Sequence, residues 1–174
     1  HIGKNVMVKT GTILCGEGFH FKKVEGKQTF STHNFGVEIQ EDVWIGSNCT
    51  VDRGRVRDTV ISKGTKIDNG VHISHNCIIG SDCIIATGVI LLGSCEVGNG
   101  TEIWSNAIIH QGVKVGNNCA VGANTYLRHD LKDNMVAYMT SDGMVIKPIT
   151  ESKKYGGGVS KKCLNGKCAA DVSW

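Results

Sequence analysis

Residues that can do acid–base chemistry are concentrated in two neighbouring segments of this 174-residue chain. Residues 50–61 read TVDRGRVRDTVI, and residues 66–76 read KIDNGVHISHN. Imidazole is the side chain best able to take a proton near neutral pH, which draws attention to His75. Asp52 and Arg53 carry charges that can orient an imidazole or contact a phosphate. The two segments therefore predict a proton-transfer site, provided that the fold brings them together.

The element that must position these segments is a repeat with a period of six residues. Aliphatic residues occupy every sixth position of one stretch: Ile61, Ile67, Ile73, Ile79, Ile85, Leu91, Val97, Ile103, Ile109, Val115, Val121 and Leu127. A helix repeats near 3.6 residues and a strand near 2, so this period fits neither. It indicates a parallel β-helix built from hexapeptides, in which each hexad supplies one short strand and one corner.

A second inward position follows four residues after each aliphatic residue, and it holds small or medium side chains. Five of the eight cysteines occupy it: Cys49, Cys77, Cys83, Cys95 and Cys119. A free thiol at such a position packs as a small hydrophobe, so we predict packing cysteines in a reducing compartment. Cys163 and Cys168 flank an Asn–Gly turn, which leaves a disulfide across that hairpin open.

Composition and charge exclude several classes of protein. The chain is 40% hydrophobic but only 6% aromatic, which favours one domain with a repetitive aliphatic core. No apolar run approaches membrane-spanning length and no signal peptide is evident, so we expect a cytoplasmic protein without a membrane span. Residues 147–174 contain six lysines and two acidic residues. We interpret them as a solvated tail, because neither interleaved aromatic residues nor a nucleic-acid motif accompanies the lysines.

Interruptions of the six-residue register define the domain organisation. We predict a parallel β-helix over residues 1–132, with a loop insertion at 17–36 that protrudes from it; loops of this length in a compact domain are usually functional. Residues 55–58 are extra residues at one corner. Residues 133–174 form a C-terminal cap and basic tail, in which one or two strands at 133–150 cover the open end. The chain starts within a hexad, so we expect further residues before His1.

The two polar segments, together with GEGF at residues 16–19, closely resemble the UDP-3-O-acylglucosamine N-acyltransferases of lipid A synthesis. In that family the matching segments run TTIDRG, then TVIG after a few residues, then KLDNxVHIAHN. The ten-residue step from Val51 to Ile61 is also shared. The resemblance covers the β-helix portion only. It implies that residues 1–132 form an all-β, left-handed parallel β-helix in which three hexads complete one triangular coil.

The resemblance also implies roles for individual residues. His75 matches the catalytic base. The residues expected to bind the substrate are Asp52, Arg53, Asp68, Asn76, Glu17 and Phe19. Stacking of successive coils puts Gly16, Arg53, His75, Gly93 and Gln111 in one column. We therefore expect acyl-donor contacts at Gly93, His110 and Gln111, where Gly93 leaves room for a pantetheine arm and its N–H stabilises an oxyanion. His72 is expected to point elsewhere and to be structural.

The predicted reaction transfers an acyl group from a thioester, either acyl-CoA or acyl carrier protein, to the amine of a nucleotide-linked amino sugar. No permanently bound cofactor and no metal are expected. The family's uridine-binding domain and helical extension have no counterpart in these residues. Its second histidine, in a Gly-His pair, is replaced by Gln111–Gly112. These departures favour acetyl-CoA or another short acyl-CoA as the donor.

Two other classes of function are compatible with parts of the sequence. A zinc site like that of a β-helical carbonic anhydrase requires a histidine five residues after His110, where the chain has Val115. A non-catalytic trimeric β-helix with a structural or adhesive role remains the alternative. In either case we predict a homotrimer, because Trp44, Trp104 and Tyr126 lie outside the core positions and cyclic association would cover them.

Overall fold

The computed structural model describes residues 1–152, whose regular elements are all β-strands apart from one 3₁₀ turn. Four strands come first: β1 (Met7–Val8), β2 (Ile13–Gly16), β3 (Phe21–Val24) and β4 (Lys27–Phe30). The repeat then contributes fifteen short strands: β5 (Val37–Ile39), β6 (Trp44–Ile45), β7 (Thr50–Asp52), β8 (Thr59–Ile61), β9 (Lys66–Ile67), β10 (His72–Ile73), β11 (Ile78–Ile79), β12 (Ile84–Ile85), β13 (Ile90–Leu91), β14 (Glu96–Val97), β15 (Glu102–Ile103), β16 (Ile108–Ile109), β17 (Lys114–Val115), β18 (Ala120–Val121) and β19 (Tyr126–Leu127). Two longer strands follow, β20 (Met135–Thr140) and β21 (Gly143–Pro148), and then a 3₁₀ turn at Ile149–Glu151.

The short strands stack into three parallel sheets that form the faces of a left-handed prism of about six coils. Each strand pairs with the strand of the preceding coil and the strand of the next one. For example, His72 of β10 lies between Thr50 of β7 and Ile90 of β13. Successive strands along the chain belong to different sheets, so each coil passes once through every face.

The interior of the prism is filled by the two inward positions of each hexad. All twelve aliphatic residues from Ile61 to Leu127 are at most 3% exposed. The five cysteines at the second inward position are also buried and unpaired, which confirms the packing role predicted for them. Thr65 shares this position because its hydroxyl donates to the carbonyl of Gly80 (2.8 Å) and accepts from the N–H of Cys83 (3.1 Å). Both of its hydrogen-bonding groups are thus satisfied inside the coil.

The corners repeat with the same period as the core. From residue 64 to residue 124 every sixth residue has a positive φ: Gly64, Gly70, Asn76, Asp82, Gly88, Ser94, Gly100, Asn106, Gly112, Asn118 and Asn124. The left-handed region is costly for residues with bulky or branched side chains, and Gly, Asn and Asp tolerate it best. The corner composition therefore follows from the backbone that the coil requires.

The protruding segment 17–36 is more ordered than the loop predicted from the sequence. Its strands β3 and β4 form an antiparallel hairpin in which Phe21 faces Phe30 and Val24 faces Lys27. Glu25 (φ 47°) and Gly26 (φ 79°) make the two-residue turn, and two consecutive positive φ values are the geometry that suits a hairpin. The hairpin stands outside the three faces of the prism.

Residues after the last coil extend one face and turn back on themselves. Strand β20 pairs in parallel with β18, and β21 pairs antiparallel with β20. Val136 and Ala137 of β20 are fully buried. Cys163, Cys168 and the lysines beyond Lys147 lie outside the described residues.

Candidate active site

His75 lies at the corner that follows β10, and the adjacent coils place other predicted residues directly above and below it. The register pairs Ile73 with Val51 and with Leu91, so Arg53, His75 and Gly93 occupy the same place in successive coils. The backbone supports this stacking: the N–H of Ser94 donates to the carbonyl of His75 (2.9 Å). The two segments that are separate in sequence therefore meet at one corner of the prism.

The imidazole of His75 fits in a slot between two glycines. A methyl group on Gly93 would lie 2.7 Å from Nε2 and 2.8 Å from Cε1 of His75. A methyl group on Gly18, at the base of the hairpin, would lie 3.1 Å from Nδ1 of His75. The space predicted at Gly93 for a pantetheine arm is thus taken up by the His75 ring, because the ring leans along the column towards the next coil.

Ser74 and Asp52 lie next to the imidazole of His75. Nδ1 of His75 is 3.2 Å from the hydroxyl oxygen of Ser74. That hydroxyl donates to Oδ2 of Asp52 at 3.5 Å, across the gap between two coils. A carboxylate that accepts the serine proton leaves the serine oxygen free to accept from Nδ1–H, and Nε2 is then the nitrogen with the lone pair.

The environment shifts the pKa of both His75 and Asp52, the two groups that Ser74 connects. Burial is the main cause that lowers the pKa of His75, and the positive charges of His33 and Arg55 lower it further. Burial also raises the pKa of Asp52, while the neighbouring His72 and the hydrogen bond from Ser74 oppose that rise. A neutral imidazole is therefore the favoured form of His75 at neutral pH.

A second histidine, which the sequence did not single out, packs against the first. His33 is 1% exposed, and its ring meets that of His75 nearly edge-on at a centroid distance of 5.2 Å. Its Nδ1 is 3.4 Å from Glu17, but the geometry is too poor for a hydrogen bond and neither ring nitrogen makes one. Glu17 is also 3.6 Å from Arg53. The hairpin thus brings Glu17 and His33 to the His75 corner.

The position of His72 differs from the prediction, because its side chain points towards the site. Its Nε2 is 3.9 Å from Oδ2 of Asp52, and its Nδ1 is 2.7 Å from the hydroxyl of Thr50. His72 is the outward residue of β10 on the same face as Asp52 and Ser74. The period of two within a strand puts residues 72 and 74 on one side of the sheet, which the sequence pattern already contained.

Asn76 and Asp68 do not join the group around His75. The buried side chain of Asn76 accepts from the N–H groups of Arg55 (2.7 Å) and Val56 (3.0 Å), and so it holds the extra residues of the preceding coil in place. Asp68 lies at a different corner, after β9, where its carboxylate accepts from the N–H of Asn69 at 2.8 Å. Within a single chain, the side chains of Asn76 and Asp68 therefore hold backbone N–H groups in place.

The predicted acyl-donor residues extend the column beyond His75. Gly93 lies in the next coil, and the N–H of Gly112 donates to its carbonyl (3.0 Å), which places Gln111 one coil further on. Nδ1 of His110 is 2.6 Å from the hydroxyl of Tyr126 on the outer face. Phe19 stands at the hairpin, 88% exposed, with its ring centroid 5.1 Å from that of Phe21.

Residues 1–152 offer neither a metal site nor a membrane-spanning helix. No group of three or more His, Cys, Asp or Glu side chains in this part of the chain is arranged to hold a metal ion. Over the same residues, no helix has the length and apolar character needed to cross a membrane.

Comparison with known proteins agrees with the β-helical fold. Residues 58–93 and 94–129 match the bacterial transferase hexapeptide (six repeats) family. The chain is thus a left-handed β-helix built from hexapeptide repeats. It is similar to the UDP-3-O-acylglucosamine N-acyltransferase of Leptospira biflexa, with 43% identity over 93 residues that cover 53% of this chain and 26% of the relative. The corresponding protein of Hahella chejuensis is 32% identical over 154 residues, covering 88% of this chain and 43% of the relative.

These matches confirm the resemblance that the motifs predicted, and they limit its extent: the chain spans less than half the length of either curated relative. Solved structures show the same fold at lower identity. A UDP-N-acetylglucosamine acyltransferase from Bacteroides fragilis superposes with a TM-score of 0.71 at 21% identity, over 84% of this chain and 55% of the other. One from Campylobacter jejuni gives 0.67 at 23% identity, over 97% of this chain and 74% of the other.

Proposed function

We propose that this β-helix is an N-acyltransferase that moves an acyl group from a thioester to the amine of a nucleotide-linked amino sugar, with His75 as the general base. The observation that carries the proposal is the glycine-lined slot that holds a neutral imidazole beside Ser74 and Asp52. The names of the curated relatives support the substrate class. An amine is protonated in water near neutral pH, so a base must remove a proton before the nitrogen can attack.

The ammonium loses its first proton to bulk water, and Nε2 of His75 takes the second as the neutral amine nitrogen attacks the thioester carbonyl. Nδ1–H meanwhile donates to the oxygen of Ser74, whose own proton is directed at Asp52. The carboxylate of Asp52 thereby stabilises the imidazolium that forms, through one intervening hydroxyl. His75 then returns its proton to the departing thiolate, so that the products are an amide and a free thiol.

Two hydrogen-bond donors near His75 are proposed to contact the nucleotide and the developing oxyanion. Nε of Arg53 donates to the carbonyl of Phe35 (2.9 Å), which anchors the guanidinium beside the site. A guanidinium has five N–H donors, so this anchoring leaves others for a substrate phosphate. The backbone N–H of Gly93 lies next to His75 and is the proposed donor to the oxyanion of the tetrahedral intermediate.

The donor in this proposal is acetyl-CoA or another short acyl-CoA rather than a long-chain acyl carrier protein. Two features support this donor. The family's second histidine is replaced by Gly112, and the chain has basic residues that can contact the phosphates of a free coenzyme. Rates of thiol release with acetyl-CoA and with a 3-hydroxyacyl carrier protein, each on UDP-linked amino sugars, decide the question. Faster turnover with the carrier protein would contradict the choice of donor.

The same assay tests the function itself. We expect thiol release that depends on both the amino sugar and His75. Absence of release with either donor, across a panel of UDP-amino sugars, would leave the non-catalytic structural module as the better interpretation. The predicted cytoplasmic location fits the five free buried thiols.

The proposed assembly is a homotrimer. One face carries exposed apolar residues outside the core, among them Met7, Trp44 and Ile84, and cyclic association would cover such a face. Light scattering at micromolar concentration should give three times the mass of one chain. A monomer mass would refute this assembly without bearing on the chemistry of His75.

A further inference from the structure

The hairpin of β3 and β4 carries a row of aromatic rings that the acid–base chemistry does not use. The ring centroids of Phe19 and Phe21 are 5.1 Å apart, and those of Phe21 and Phe30 are 5.5 Å apart. Phe30 is 6.1 Å from His33, which is in turn 5.2 Å from His75. A continuous series of ring contacts therefore leads from Phe19, which precedes β3, along the base of the hairpin to the catalytic imidazole.

This row faces solvent and is accompanied by polar groups. Phe21 and Phe30 form a cross-strand pair, and Lys23 and Gln28 form the pair two residues further along. Side chains alternate along a strand, so both pairs lie on the same side of the hairpin. Phe21 and Phe30 are 42% and 41% exposed. A cavity of about 530 Å³ opens here, lined by Phe19, His20, Phe21 and Gln28.

We propose that this aromatic shelf, made of Phe19, Phe21 and Phe30 with Gln28 and Lys23, binds the nucleobase of the nucleotide-linked sugar. The inference rests on the proposed function and names where its nucleotide sits. The base stacks on the rings, and the amide of Gln28 and the ammonium of Lys23, which lie on the side of the rings away from His75, contact the hydrogen-bonding edge of the base.

The chemistry of the shelf favours a nucleobase over the other occupants of an exposed aromatic surface. An acyl chain or an apolar subunit contact gains nothing from an ammonium and an amide placed on the same side as the rings, since burying these groups unpaired is costly. A nucleotide uses all three kinds of group at once. Its geometry also fits, because a nucleotide sugar has a planar ring at one end and the reacting amine at the other, and the ring row ends at His75.

Binding of UDP, measured by calorimetry without any acyl donor, tests the shelf. The wild-type chain should bind UDP measurably more tightly than inorganic pyrophosphate, which lacks the base. Replacement Phe21→Leu keeps an apolar side chain but removes the π-face, and should weaken UDP binding about tenfold or more. Phe21→Trp keeps a π-face and should bind UDP about as well as wild type. Lys23→Ala should weaken binding of UDP and of uridine alike, because Lys23 contacts the base.

A matched control is Val24→Ala, which shortens an equally exposed apolar side chain (43%) on the opposite side of the same hairpin. It should leave UDP binding unchanged. Equal UDP affinity for wild type and Phe21→Leu overturns the shelf, as does UDP binding no tighter than pyrophosphate binding. If Phe21→Leu instead changes the mass measured by light scattering, the row is a subunit contact and the proposal is wrong.

The shelf and the proposed function fail in different ways. UDP binding that depends on Phe21 but is not followed by acyl transfer with any donor would keep the shelf and refute the transferase. Acyl transfer to a UDP-amino sugar with an unchanged KM in Phe21→Leu would keep the transferase and refute the shelf.

Discussion

Replacement Gly93→Ala should push the imidazole of His75 out of its slot while leaving the coil intact. The added methyl group would lie 2.7 Å from Nε2, whereas ordinary contacts begin at 3.4 Å, so the ring must move by at least about 0.7 Å. Misplacement of a catalytic group by about 1 Å can reduce a rate about a hundredfold. We therefore expect kcat of Gly93→Ala to fall by about two orders of magnitude.

The fold should tolerate this substitution. Gly93 is not among the positive-φ residues, so alanine adopts its backbone without strain, and the half-exposed His75 ring can yield towards solvent. The melting temperature should then change by only a few degrees, as about 1 kcal/mol shifts a domain of this size by about 2–4 °C. Gly36→Ala is the matched control, because its methyl group would meet Asp58 at an ordinary 3.6 Å.

The measurement is steady-state acyl transfer by wild type, Gly93→Ala and Gly36→Ala, together with their thermal unfolding. Gly36→Ala should keep wild-type turnover. The reasoning fails if Gly93→Ala retains more than half of the wild-type kcat, since the position of the imidazole would then not matter. Loss of kcat together with loss of the folded state would also count against it.

Three further predictions test other parts of the site. His75→Ala should reduce kcat by about 10²–10⁴ while the assembly and melting temperature stay nearly unchanged, and turnover above half of wild type would refute the general base. Because the pKa of His75 is lowered, kcat/KM should rise with pH to a plateau through a midpoint below that of an ordinary histidine. His33→Gln should move this midpoint upward, since it removes a nearby positive charge, and an unmoved midpoint in the pH–rate profile would contradict that role. Asn76→Ala should lower the free energy of unfolding, measured in urea, by about 1–3 kcal/mol more than Asn106→Ala does. Asn106 is the control because it is an exposed corner asparagine of similar φ. Equal losses would mean that the amide of Asn76 does not hold the 55–58 insertion.

Much of the core and the site column followed from the sequence, because in a solenoid each coil contacts mainly its neighbours and position in the chain translates directly into position in space. The six-residue period identified the twelve aliphatic core residues and the packing role of five cysteines. Counting hexads also placed Arg53, His75 and Gly93 above one another. These features depend only on the repeat and on the local backbone at each corner.

Only the tertiary structure decided how the irregular segments contact the regular coil. The hairpin brings Glu17 and His33 to His75, although the insertion follows no period that could have predicted their positions. The motif predicted a substrate-binding role for Asn76, but its amide holds the 55–58 insertion in place. The space at Gly93 is filled by an imidazole from the coil before it. Each of these outcomes depends on side chains that meet across coils or from outside the repeat, and a periodic pattern carries no information about such contacts.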